Sequence, residues 1–257
     1  MSLAGIFASP SSVSLNLADS SALTPAHTEA GGTAGTAVQA KKARRVHIIL
    51  LRAVLIAVLV RTFIGETSVV PTPSMEGTIL VGDHLFWSKT LYGPEIPLLH
   101  WRLPRLRKVR RSEIVAFRFP KDPQQTFLKR VAAVGGDTVE IRDGILYVNG
   151  AAIQEGYAVH HGAMLSSHRW DQMPARVVPP GQLFVLGDNR DNSSDSRDWG
   201  AIPEKNVIGS PLFVFWSYDA PSAAWLDQAP THRLHFYTSM VTHFFTRTRW
   251  SRLGTML

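Results

Sequence analysis

The sequence changes character abruptly at Lys41. Four basic residues in five (Lys41, Lys42, Arg44, Arg45) lead into HIILLRAVLIAVLVRTFIG, residues 47–65, apolar almost throughout apart from Arg52 and Arg61. About 20 apolar residues are needed to cross the hydrocarbon layer, and this run just qualifies. Arg52 and Arg61 each lie about one turn inside an end, so both can snorkel toward headgroups. A helix buried in a protein core would explain the apolar run but leave the basic cluster unexplained. A cleavable signal peptide would start nearer the N terminus. The run is therefore expected to be a single membrane anchor over 46–65. Positive-inside bias puts 41–45 in the cytoplasm and everything after Gly65 outside.

Ahead of the anchor, residues 1–40 carry no Lys or Arg and only Asp19 and Glu29 as acids. Ala, Ser, Thr and Gly dominate, which predicts a disordered cytoplasmic tail over 1–45. A transit peptide would want arginines and avoid acids. Over the whole chain of 257 residues, 45% are hydrophobic and 18% charged, with net charge +7. That excludes both a disordered polyampholyte and a multi-span membrane protein. With no cysteine, a disulfide scaffold, thiolate-ligated zinc, an iron–sulfur centre and a thiol nucleophile are all excluded.

Beyond the anchor the chain reads as strands. EIVAFRF (113–119), TFLKRVAAV (126–134), TVEI (138–141), ILYVNG (145–150), LFVLGD (183–188) and SPLFVFWSY (210–218) are short, β-branched or aromatic, and punctuated by Gly, Asp and Pro. Asp143-Gly144 between two of them is a hairpin signal. No helical periodicity of comparable strength is present. The class predicted is mainly β: one domain over 66–257 behind an N-terminal transmembrane helix, with a smaller inserted subdomain at about 142–180.

Three segments could carry chemistry. Ser74 lies in PTPSMEGTILVGD, a loop too rich in Pro and Gly for helix or strand; such a backbone can expose a hydroxyl, though most loop serines make turn hydrogen bonds. Lys129 lies in QTFLKRVAAVGGD, where alternation puts Phe127, Lys129 and Val131 on one face and Leu128, Arg130 and Ala132 on the other. Its stem could pack while its tip reaches water. If instead the amine is buried, desolvation lowers its pKa. A fall from about 10.4 to about 8 costs on the order of 3 kcal/mol and leaves a usable general base. The third segment, GDNRDNSSDSRDWG, has aspartates at alternate positions, but counting from Asp191 the sixth place is not Gly and the twelfth is Ile202 rather than Glu. A calcium loop is thereby excluded. A solvated turn or an internally bonded wall beside an active site remain.

Taken together the three segments resemble the type I signal peptidase family (bacterial leader peptidases, peptidase S26). The resemblance rests on PSM followed by Thr78-Ile79, Gly82-Asp83 with Tyr92-Gly93 beyond, Lys129-Arg130 leading into Gly136-Asp137, and the GDNRxNSxDSRxWG loop, all in the family's order. It spans about residues 55–217, and RTRWSRLG (247–254) is similar to the family's closing segment.

The resemblance implies an antiparallel, barrel-like β-domain and a serine endopeptidase that removes signal peptides from exported preproteins through an acyl-enzyme. It implies Ser74 as nucleophile, Lys129 as general base, Ser193 as the hydroxyl that orients the lysine, and Thr72 as an oxyanion donor beside the Ser74 N–H. Asp195 with Arg197, and Arg130 with Asp188, match supporting ion pairs. No cofactor or metal is implied. The partners implied are preprotein signal peptides and the lipid bilayer, at the bacterial inner membrane with the catalytic domain periplasmic. Small side chains are expected at substrate positions −1 and −3. Met75, Ile79 and Val131, near the dyad in sequence, are the candidate pocket residues.

Two residues depart from the family pattern: Pro73 before the nucleophile, and Gly77 where the family usually has Pro. Pro73 pushes Thr72 toward extended geometry.

WRLPRLRKVRR (101–111) packs six basic residues into eleven. Outside the cytoplasm it rarely meets nucleic acid, so no nucleic-acid partner is expected; contact with anionic headgroups, aided by the apolar run 96–101, or a plain solvated loop are the readings left. His160, His161 and His168 have no metal spacing. An inactive membrane-tethered scaffold that binds preproteins, or a self-cleaving Ser–Lys protease of the repressor type, are the competing functions. The presence of both Ser74 and Lys129 speaks against the first, and the N-terminal anchor against the second.

Overall fold

The structure is a computed structural model that describes residues 32–59, 65–93, 95–96, 101–160 and 171–257. Arg61, His161 and His168, and residues 1–31 of the expected tail, lie outside these residues.

Helix α1 (Gly32–Leu59) takes in residues 32–45, where the sequence predicted disorder; Ala34, Ala37, Gln39 and Ala40 are strong helix formers. Its described apolar part, 46–59, reaches roughly 21 Å at 1.5 Å per residue, against about 30 Å of hydrocarbon. Among the described residues no helix is long and apolar enough to cross a membrane; the remainder of the expected span, 60–64, lies outside them.

The strands follow: β1 (Gly65–Val69), β2 (Asp83–Ser88), β3 (Glu95–Ile96), β4 (Trp101–Arg102), β5 (Ile114–Phe119), β6 (Asp122–Val134), β7 (Thr138–Arg142), β8 (Ile145–Val148), β9 (Ala151–Ala152), β10 (Met173–Val177), β11 (Gln182–Leu186), β12 (Ile202–Pro203) and β13 (Val207–Ser217). The main sheet runs β1-β2-β13-β5-β6-β11-β12 and is antiparallel, with β1 and β12 as edges rather than a closed barrel. A second antiparallel sheet, β10-β7-β8-β9, falls where the inserted subdomain is expected. It begins at Thr138, a few residues before the predicted start.

Local chemistry explains the elements. Arg142 pairs with Ile145 across the two-residue turn Asp143-Gly144, both with positive φ (50° and 75°), the type I′ geometry whose twist matches paired strands. Asn149-Gly150 repeats it (54° and 79°) between Val148 and Ala151, so the predicted strand 145–150 ends two residues earlier. Strand β11 is apolar on both faces: Leu183 and Val185 enter one core with Val115, Phe117 and Val131, and Phe184 and Leu186 enter another with Val139, Ile141 and Leu146. A third core gathers Val70, Met75, Ile79, Leu85, Ile114 and Val214.

Helical structure is more extensive than predicted. Helix α2 (Ser196–Trp199) lies between β11 and β12, and after β13 come α3 (Ser222–Leu226), α4 (Pro230–Thr242) and α5 (Phe244–Arg247). Pro230 starts α4 at a position where its missing N–H is harmless. The helix docks through Phe236 against Tyr218 and Trp225, which no sequence period signals because a single aromatic does the packing.

The basic run 101–111 is not a free cationic patch. Arg105 pairs with Glu204 at 3.0 Å, Arg107 with Glu113, and Arg111 with the buried Asp137. Half of its six basic residues are braces inside the fold.

Candidate active site

Ser74 lies on a single 3₁₀ turn, Pro73–Met75, that follows β1. Thr72 enters the turn extended (φ −124°, ψ 149°), as a residue before proline must. Met75 anchors the turn in the core beneath it, and the Glu76 and Ile79 N–H groups donate to Pro73 O and Met75 O at 2.9 Å. The Ser74 hydroxyl is thus held on rigid backbone.

Lys129 comes from β6, where it pairs with Val115 of β5. Its residue is 4% exposed. The amine nitrogen and Ser74 Oγ are hydrogen-bonded at 2.6 Å, across 55 positions of chain. Among the described residues the amine has no carboxylate partner. Burial pushes its pKa down to about 8; the Asp195 and Asp188 carboxylates oppose that, and the Arg197 guanidinium reinforces it. At pH 7 about a tenth of the amine is then unprotonated, some hundredfold more than for an exposed lysine, although the protonated form still dominates.

The wall beside the pair is residues 187–197. Asp195, fully buried, accepts from Gly187 N at 3.0 Å and from Arg197 Nε and Nη2 at 2.8 Å. Asp188 accepts from Arg130 Nε (2.8 Å), Arg130 Nη2 (2.7 Å) and the Thr78 hydroxyl (2.6 Å). Asn189 donates its N–H to Ser74 O and its amide to Pro73 O, both at 3.2 Å. Ser193 Oγ is buried and has no hydrogen-bond partner among the described residues. A Cβ added to Gly187 would stand 2.2 Å from that hydroxyl and 2.4 Å from Ser74 O; glycine there is what lets Ser193 and the nucleophile's backbone converge. The bond from Ser193 to the lysine that the resemblance implied is not formed, although the hydroxyl has nothing else to satisfy it.

A cleft of about 760 Å³ opens on the pair, lined by Thr72, Ser74, Met75 and Lys129. Its apolar walls come from Val69, Val70, Leu85, Trp87, Ala116 and Leu128, with Gln125, Asn192 and Ser194 as polar lining. Two of the candidate pocket residues fall elsewhere. Ile79 and Val131 are 0% exposed and belong to two separate cores. Val131 shares the Lys129 face of β6 but is covered there by Leu183 and Val185, and Ile79 packs under the turn with Met75 and Val214, so proximity in sequence misassigned both. Leu85 and Trp87 were missed: they alternate with half-buried His84, Phe86 and Ser88 along β2, but Leu85-Phe86-Trp87 is apolar throughout, so the sequence does not show which face is buried. Among the described residues no three His, Asp or Glu side chains converge as metal ligands would.

The family model for signal peptidases, peptidase S26, matches residues 43–216. A probable signal peptidase I-1 of Synechocystis is 36% identical over 184 residues, which cover 69% of this chain and 82% of that protein. Signal peptidase I of Pseudomonas aeruginosa is 30% identical over 198 residues, 65% of this chain and 70% of its own. Thylakoidal processing peptidase 1 of Arabidopsis thaliana is 32% identical over 174 residues, 64% of this chain and 46% of its own.

Proposed function

The chain belongs to the signal peptidase family, peptidase S26, as a hydrolase, and from that premise we propose that it cleaves preproteins through a Ser74–Lys129 dyad and an acyl-enzyme at a membrane surface. The observation that carries the mechanism is the 2.6 Å contact of a buried, carboxylate-free amine with the Ser74 hydroxyl. As Ser74 Oγ attacks the scissile carbonyl, the neutral Lys129 amine takes its proton. The tetrahedral oxyanion is held by the Ser74 N–H and the Thr72 hydroxyl, donors typically worth about 3 kcal/mol each. Collapse passes the proton from the Lys129 ammonium to the leaving amine and leaves the signal peptide esterified on Ser74. Water, deprotonated by Lys129, then releases it. Ser193 completes the site by turning its unpaired hydroxyl to the amine when substrate closes the cleft.

An extended substrate fits between residues 66–73 on one side and 125–129 on the other, and presents alternate side chains to the apolar walls. The apolar sequence 46–65 serves as the anchor, with residues 41–45 cytoplasmic and the catalytic body on the other side. Tethering the site where signal segments emerge raises the effective concentration of substrate.

The test is processing of an exported preprotein by the full chain, followed by N-terminal sequencing of the product. Cleavage after small residues at −1 and −3 that disappears in Ser74→Ala and in Lys129→Ala is expected. Undiminished processing by either variant would reject the dyad; no processing by wild type would favour a preprotein-binding scaffold.

A further inference from the structure

One segment of the inserted subdomain, 155–159, touches the catalytic wall on both sides of Asn189, the residue that donates to Ser74 O. Val159 donates its N–H to Asp188 O at 2.8 Å and accepts the Arg190 N–H at 3.0 Å, as a parallel bridge to Asn189. Asn189, between them, donates the other way, to Ser74 O. Asn189 is therefore an isolated bridge residue, with Val159 on one side and the nucleophile's own carbonyl on the other, just ahead of the 3₁₀ turn that starts at Arg190. Glu155 grips Arg190 with two bonds of 2.6 Å, both side chains nearly buried, and Arg190 Nε donates to Gly187 O. The Tyr157 ring lies 3.9 Å from the guanidinium of Arg130, the residue that clamps Asp188.

The nucleophile's loop is shaped to admit this segment. Gly77 has φ +111°, and a Cβ there would meet Val159 Cγ2 at 2.6 Å and Tyr157 O at 2.8 Å. Proline, with φ fixed near −65°, cannot adopt that backbone. The family departure at Gly77 and the course of residues 157–159 are one feature.

We propose that residues 155–159 form a latch, and that Glu155 and Tyr157 are positioning residues which hold residues 188–190, and through them Ser74, in register with Lys129. The proposal rests on the dyad reading. With the latch docked, the wall excludes water from the amine; with it released, Asn189 loosens its hold on Ser74 O and the amine hydrates. Displacements on the order of 1 Å at a reacting pair can cost about 100-fold in rate.

The experiment uses the full chain in detergent micelles and a quenched peptide with alanine at −1 and −3. Rates are measured against pH for wild type, Lys129→Ala, Glu155→Ala, Tyr157→Leu, and Arg142→Ala as a control on the same subdomain away from the latch. Thermal midpoints are recorded for all. In Glu155→Ala and Tyr157→Leu, kcat is expected to fall at least about tenfold with KM changed less than about twofold. The acid limb of kcat/KM is expected to move to higher pH by about one unit, while Arg142→Ala leaves both unchanged. Tyr157→Leu, at a half-buried ring, keeps the test open if Glu155→Ala does not fold. Variants that keep kcat and the limb overturn the latch. A fall in kcat with an unmoved limb also overturns it, leaving a structural staple only. If Lys129→Ala is as active as wild type, the dyad reading fails instead.

Discussion

Two neighbours on β6, Lys129 and Arg130, are both cations drawn into the protein, and their surroundings differ in kind. Arg130 reaches a fully buried carboxylate, bonds both oxygens of Asp188, donates to Thr78 Oγ1 and Ser112 O, and carries the Tyr157 ring on its face. Lys129, on the opposite face, reaches one hydroxyl. Burying a charge is tolerated when partners replace water, and otherwise the group sheds its proton. Arginine, with its planar fork and very high pKa, serves the first arrangement; lysine, whose pKa falls readily on burial, serves the second. One strand thus supplies a structural cation and a base by giving adjacent residues saturated and unsaturated environments.

Substitutions that exchange these environments test the contrast, and the largest effect belongs to the base. Lys129→Ala is expected to lower preprotein processing by about 10⁴, roughly 5 kcal/mol in the barrier, with secondary structure unchanged by circular dichroism. Removing the partner of the structural cation acts on stability: Asp188→Ala leaves the Arg130 charge buried and unpaired, and is expected to lower the unfolding free energy by about 3–5 kcal/mol in a urea titration.

Lys129→Met runs the other way. With the native pKa near 8 and the unfolded value 10.5, both states are protonated below pH 8, so the wild type carries the full penalty there. Between 8 and 10.5 the unfolded chain holds a proton the native state has lost, and wild-type stability rises with pH. The methionine variant is therefore expected to be more stable than wild type by up to about 3 kcal/mol at pH 7, an advantage that vanishes by pH 10.5 in paired denaturation curves. A stabilising effect that does not depend on pH would break the comparison. The smallest effect is Ser193→Ala: its buried hydroxyl has no partner to lose, so stability should stay within about 0.5 kcal/mol while kcat falls about tenfold.

The β-class, the strands carrying Lys129 and residues 183–186, and the hairpin at Asp143-Gly144 were legible because period-2 alternation and turn residues act over a few positions of chain. The edge strand β1, the single-aromatic docking of α4 and the partners of Arg105, Arg107 and Arg111 were not, since each depends on residues far away in sequence. The pocket shows the same divide. Ile79 and Val131 lie close to the reacting residues along the chain but are sealed in cores, while Leu85, Trp87 and Ala116 arrive from other strands.

The sequence alone determined the inventory: a loop serine, a lysine on the apolar face of a strand, acid–base pairs in one loop, an apolar run behind a basic cluster, and the family in which these occur together. Only the tertiary structure decided that Ser74 and Lys129 stand 2.6 Å apart, that among the described residues no carboxylate bonds the amine, and that residues 155–159 back the wall beside it. Chain order specifies which groups exist and which face of a strand they take. The basicity of a group depends on the solvent it has lost and the charges packed around it, and those are fixed only when distant segments close on it.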